Sequence, residues 1–208
     1  MASPLQTGSD LKIILRIRLI QRLTIVWMTI EAVVALIAAW RAHSVALLAF
    51  GGDSAIEFLS AVVVLWRFRS DTAQEKIERH AACITGVLLL LLALFVIIAS
   101  ATTLMGYSEP RPTLLGITIL VIAAVIMPWL ANEKRRLSMA TGSAALRADA
   151  AESVLCAYFS VIALAGLAAN AIWGIWWTDP VAALATVPFI LWEGWEAIRG
   201  ESCGCCSE

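Results

Sequence analysis

Asp53 and Glu57 stand four residues apart inside one long apolar run, and Glu152 and Cys156 stand four apart inside another. Residues at i and i+4 share one helix face, so each run presents two metal-ligating side chains in one direction. Three carboxylates and a thiol brought together in a low-dielectric interior cannot all stay ionised without a counter-charge. Protons supply it, or a divalent metal does. Oxygen and sulfur donors at tetrahedral count suit zinc or cadmium. The pattern points to a site that exchanges metal for protons. The competing reading makes the acids protonated hydrogen-bonding groups and Cys156 a small apolar packer.

The elements that position these residues are apolar enough to cross a bilayer. A charged side chain at the bilayer centre costs about 2.5–3.5 kcal/mol on insertion scales, so acids there need a reason. Counted from Ser44 at 1.5 Å per residue, Asp53 lies roughly 13 Å deep and Glu57 roughly 19 Å. Counted from Thr141 at the opposite surface, Glu152 lies roughly 16 Å deep, with Cys156 about one turn beyond it. Two antiparallel helices would bring all four groups near the midplane.

Other residues carry weaker signals. Glu31, midway along the first apolar run, lines an outer access cavity or bonds a neighbouring helix. Asp149 stands beside Arg147 and reads as half of a local ion pair at the cavity mouth. Gly51 and Gly52 suit close helix approach. Cys203, Cys205 and Cys206 form a C-x-C-C tail able to hold a soft cation through thiolates; lipidation or no role are its alternatives. His43 and His80 fall at helix ends and face solvent.

The whole chain fits a membrane setting. Of its 208 residues 61% are hydrophobic and 15% charged, with a mean hydropathy of +0.84, whereas soluble domains carry about a quarter charged residues. Six segments approach the roughly 20 apolar residues a crossing requires: Leu23–Trp40, Val45–Trp66, Ala82–Met105, Leu114–Leu130, Gly142–Trp173 and Pro180–Trp195. Glu109-Pro110-Arg111-Pro112 breaks the chain before the fourth, and Thr178-Asp179-Pro180 before the sixth, with Asp179 as the expected N-cap. Of the 15 lysines and arginines, only Arg41 and Arg111 fall on the side away from the termini, which predicts cytoplasmic termini. Tryptophans mark both interfaces: Trp40, Trp173, Trp176 and Trp177 on one side, Trp66, Trp129, Trp192 and Trp195 on the other.

The expected fold is an all-α membrane protein, a six-transmembrane-helix bundle. Its expected divisions are a cytoplasmic N-terminal segment (1–22), the six-helix region (23–198) and a short Cys-rich cytoplasmic tail (199–208), with Asp71–Glu78 as a charged cytoplasmic loop. No cleavable signal peptide is evident, since the apolar segment behind the basic N-terminus is too long. The five cysteines do not form a disulfide framework. A net charge of −1 gives no reason to expect nucleic acid. No H-E-x-x-H pair, nucleophilic serine motif or phosphate-binding glycine loop is present, so an enzyme is not expected.

The stretch from Ser44 through Gly51-Gly-Asp53-Ser-Ala-Ile-Glu57 resembles the second helix of the cation diffusion facilitator family. Ala145-Leu-Arg147-Ala-Asp149-Ala-Ala-Glu152 resembles the start of its fifth, and Trp177-Thr-Asp179-Pro180-Val-Ala-Ala-Leu the start of its sixth. The similarity runs from about residue 25 to 198. It implies a multi-pass homodimer in a bacterial-type inner membrane, without a cofactor, exporting divalent metal, Zn2+ first, in exchange for protons by alternating access. By position it assigns Asp53, Glu57, Glu152 and Cys156 as the transport site. Here Glu152 and Cys156 replace the usual histidine or aspartate followed by aspartate, which leans the site toward a softer ion. The family's cytoplasmic C-terminal domain and the histidine-rich loop before the fifth helix are both missing. A carrier for cadmium, mercury or copper, and a non-transporting metal sensor or scaffold, are the rival expectations.

Overall fold

Backbone polar groups find no water in hydrocarbon, so long apolar segments close their hydrogen bonds internally as helices. The computed structural model describes residues 4–67 and 75–199, and the tail cysteines Cys203, Cys205 and Cys206 lie outside them. Among the described residues six α-helices follow in order, α1 Pro4–Ala42, α2 Val45–Arg67, α3 Glu75–Thr102, α4 Leu114–Thr141, α5 Ala144–Trp173 and α6 Thr178–Arg199, with a π-helical turn Thr103–Tyr107 directly after α3. Among the described residues there is no strand. All six helices are long and apolar enough to cross a membrane, and the protein is a six-helix membrane bundle.

Three boundaries differ from the sequence expectation. The basic N-terminal segment continues α1 without a break. The Asp71–Glu78 connection lies partly outside the described residues, and its last part already belongs to α3. The fourth helix does not stop at Leu130 but runs on to Thr141 through the charged stretch Glu133–Arg136, where Gly142 ends it at φ 65°. A left-handed glycine is a common helix C-cap, so Gly142 closes α4 and Ser143 caps α5 by accepting from the Leu146 N–H. The extension holds because Glu133, Lys134, Leu137 and Ser138 all bury against the bundle.

The helices pack most closely in the pairs α1 with α2, α4 with α5 and α3 with α6, and α2 also meets α3, α5 and α6. Phe50, Leu47, Met127, Leu120, Phe159 and Leu167 fill the interior. Leu19, Val26, Leu91, Val125 and Val161 face outward, as lipid-facing positions require. Where α3 crosses α6, Gly86 and Gly194 let the backbones touch. A Cβ on Gly86 would stand 2.6 Å from the Gly194 carbonyl oxygen, and one on Gly194 would stand 3.0 Å from that of Gly86. Gly52 also packs closely, a Cβ there falling 2.7 Å from the side-chain tip Leu92 Cδ1, a contact that the leucine can yield by moving.

The far end of the bundle is fastened by polar contacts. Asp179 does not cap its own helix. Its carboxylate accepts from Ser44 Oγ and from the Val45 N–H at 2.8 Å, so the first turn of α6 caps the first turn of α2. Those N–H groups have no partner inside α2 and must find one elsewhere. Arg111 N donates to the Ala42 carbonyl at 2.8 Å, and Asn170 Nδ2 donates to the Pro110 carbonyl at 2.9 Å. These bonds set the register of α2 against α6 and anchor the α3–α4 connection. Replacing Asp179 with Ala should destabilise the folded protein by about 1–3 kcal/mol, because it strands buried donors. Thermal unfolding of the detergent-solubilised variant checks this, and a wild-type midpoint would refute the cap.

Candidate metal centre

Interior acids on α2, α5 and α6 meet at one small cavity. It measures about 10 Å³ and is lined by Asp53, Ile56, Glu57, Thr85, Leu89, Glu152 and Glu193. That volume holds about one water molecule. Asp53 and Glu57 reach it from α2, Glu152 from α5, Glu193 from α6 and Thr85 from α3. Asp53 and Glu57 are buried, at 6% and 5% exposure. Glu57 Oε2 and Glu152 Oε2 are buried without a hydrogen-bond partner. Carboxylates are acceptors only, so a buried carboxylate oxygen without a donor marks a place for a proton or a cation.

Three of the four expected ligands line this cavity; Cys156 is not in its lining, although its thiol hydrogen-bonds the cavity-lining Glu57. Cys156 Sγ donates to Glu31 Oε1 at 3.3 Å and lies 4.0 Å from Ser54 Oγ. Ser54 Oγ in turn donates to the same Glu31 oxygen at 2.7 Å. Glu31 thus ties α1 to α2 and α5, and its second oxygen, Oε2, has no partner. Among the described residues no three His, Cys, Asp or Glu side chains stand close enough together to hold a metal ion. The carboxylates face a common cavity without closing on a ligand.

The ion pair expected between Asp149 and Arg147 is not formed. Residues two apart on a helix point in different directions; Arg147 is exposed and Asp149 is fully buried. Asp149 instead accepts from Lys134 Nζ at 3.0 Å and from Gln21 Nε2 at 2.6 Å. Lys134 is itself completely buried. Its ammonium donates to Ser153 Oγ at 2.7 Å and lies 3.6 Å from Glu57 Oε1, while Ser153 Oγ donates to that same Glu57 oxygen at 2.7 Å. Lys134, counted in the sequence among the cations on the side of the termini, is therefore an interior charge linked to the cavity through Glu57.

Sequence reasoning missed two groups. Lys134 sits in a run of charges, Glu133-Lys-Arg-Arg136, that looks like a solvated loop. Only its place on the inner face of a continuing helix separates it from Arg135 and Arg136, which are exposed. Glu193 had a legible signal, since it is an acid within the sixth apolar segment, but nothing in its spacing links it to α2 or α5. His43 is exposed at the α1–α2 turn, as expected. The packing expected of Gly51 is present, a Cβ there falling 3.1 Å from Ala35 Cβ.

The cation efflux transmembrane domain matches residues 22–201, and the chain belongs to the cation efflux family. Members of that family are transporters of metal cations rather than enzymes. Comparison with curated proteins returns no match.

Removing one member of a buried ion pair leaves its partner uncompensated, at a cost of about 3–5 kcal/mol. Lys134→Met should therefore destabilise the protein by that order. Pairing it with Asp149→Leu should restore part of the loss, because the stranded carboxylate is removed as well. Unfolding midpoints of the single and double variants in detergent test this; equal midpoints for Lys134→Met and wild type would contradict the buried network.

Proposed function

We propose that this chain moves a divalent transition-metal cation of the zinc class outward across a bacterial-type inner membrane in exchange for protons, by alternating access. The observation that carries the reading is the cavity shared by Asp53, Glu57 and Glu152, with Glu57 Oε2 and Glu152 Oε2 buried and unpartnered. In this reading those oxygens bind metal and, when it leaves, take up protons, because both compete for the same lone pairs. The site then never carries its full negative charge into hydrocarbon. The ammonium of Lys134, 3.6 Å from Glu57 Oε1, offsets part of that charge in both conditions.

Direction rests on the sequence. Lysine and arginine concentrate on the side of the termini, which supports cytoplasmic termini and therefore loading from the cytoplasm. The loss of Lys134 to the interior leaves that asymmetry in place. A homodimer is proposed on the family resemblance alone.

Asp53→Asn keeps the side-chain volume and removes the charge. The expected outcome is zinc flux into proteoliposomes at the level of protein-free vesicles, with the variant inserted and as stable as wild type. Wild-type flux in Asp53→Asn would remove Asp53 from the site.

A further inference from the structure

We infer that Glu193 of α6 is the fourth ligand of the transported ion, in place of Cys156, and that the site is an all-oxygen one. The inference rests on the proposed transport reading and specifies its ion class: borderline and hard divalent cations such as Zn2+, Co2+ and Mn2+, in preference to cadmium, mercury or copper(I).

Register is the first support. Asp179 bonds to the first N–H of α2, so depths along α2 and α6 share an origin. Glu57 then lies about 18 Å from Val45 along α2, and Glu193 about 21 Å from Asp179 along α6, at 1.5 Å per residue. The two carboxylates fall within one helical turn in depth, and both line the same cavity.

Backbone approach is the second. Glu193 is followed by Gly194, and Thr85 of the same cavity is followed by Gly86. The close crossing of these two glycines brings α3 and α6 together beside the cavity that Thr85 and Glu193 line. No other side chain on α6 brings a carboxylate to that lining.

The thiol's hydrogen bonding is the third. Cys156 is fully buried and does not line the cavity; its thiol is held by the carboxylates of Glu31 and Glu57 and lies 4.0 Å from Ser54 Oγ. The cavity is lined by Asp53, Glu57, Glu152, Glu193 and Thr85, with the unpartnered oxygen of the buried Glu57 as an open acceptor. Carboxylate and hydroxyl oxygens favour hard and borderline divalent ions, whereas soft ions are selected by thiolate. Glutamate side chains are long enough to close on an ion from a cavity this small, with one ion drawing together α2, α5 and α6.

The test uses full-length purified protein, with Zn2+, Mn2+, Co2+ and Cd2+ as probes in binding titrations and proteoliposome flux. Glu193→Gln should weaken binding of every bound ion by about 10–100-fold, the scale on which a metal site responds to loss of a supporting group, and Glu193→Asp should recover part of it. Cys156→Ser should leave affinity and the ranking of ions unchanged, and the Co2+ complex of the wild type should lack a thiolate-to-cobalt charge-transfer band. Wild-type binding in Glu193→Gln would overturn the inference while leaving the transport reading standing. So would a thiolate band, or a loss of Cd2+ preference in Cys156→Ser. Absence of binding and flux for all four ions in folded wild type would overturn the transport reading and this inference with it.

Discussion

The interior of this bundle holds more negative charge than hydrocarbon tolerates, and much of its structure follows from managing that charge. Glu31, Asp53, Glu57 and Asp149 are all buried, in a setting where each isolated charge costs several kcal/mol. Two solutions coexist. Around Asp149 the charge is met by donors built into the chain, Lys134 Nζ and Gln21 Nε2. Around the cavity it is met only in part: Asp53, Glu57, Glu152 and Glu193 face one small space, Ser153 and Lys134 serve one oxygen of Glu57, and the second oxygens of Glu57 and Glu152 have no partner. A stable membrane scaffold has no use for such unmet acceptors, but a carrier does. Glu57 connects the two regions, being both a wall of the cavity and a neighbour of the buried ammonium.

The scaffold that enforces this arrangement is made of close approaches more than of large side chains. Glycines bring α3 against α6 and α2 against α3, as expected where helices in lipid associate by backbone proximity and packing. At one end, Asp179 ties the start of α6 to the start of α2. Two carboxylates on helices far apart in sequence, Glu57 and Glu193, thereby acquire a shared depth. The proposed alternating-access cycle would alter these contacts. In that proposal the closely packed pairs α3 with α6, α1 with α2 and α4 with α5 are the units that would rock against one another.

The sequence disclosed the helices well, because each is written as a continuous apolar run and the bilayer fixes its length. It disclosed Asp53, Glu57 and Glu152 because acids within such runs are conspicuous, and i,i+4 spacing assigns them a face. It could not disclose where Cys156 points, since that depends on Glu31 and Ser54 arriving from two other helices. Lys134 was hidden by composition: among four adjacent charges, only helix phase separates the interior ammonium from its exposed neighbours. Asp179 was read as a cap and is one, but for α2, because a cap's partner is chosen by tertiary packing and not by sequence adjacency. Glu193 was visible as an acid but not as a neighbour of Glu57, for want of the register that Asp179 supplies.

The most direct measurement places purified protein in liposomes carrying an internal zinc indicator and an internal pH dye, and imposes a pH gradient. Exchange predicts that zinc entry is matched by proton exit from the vesicle, that reversing the gradient reverses the metal flux, and that neither occurs in protein-free vesicles. Zinc movement indifferent to the gradient, or proton leak with no metal movement from any divalent ion supplied, would contradict a cavity in which protons and metal share the same carboxylates.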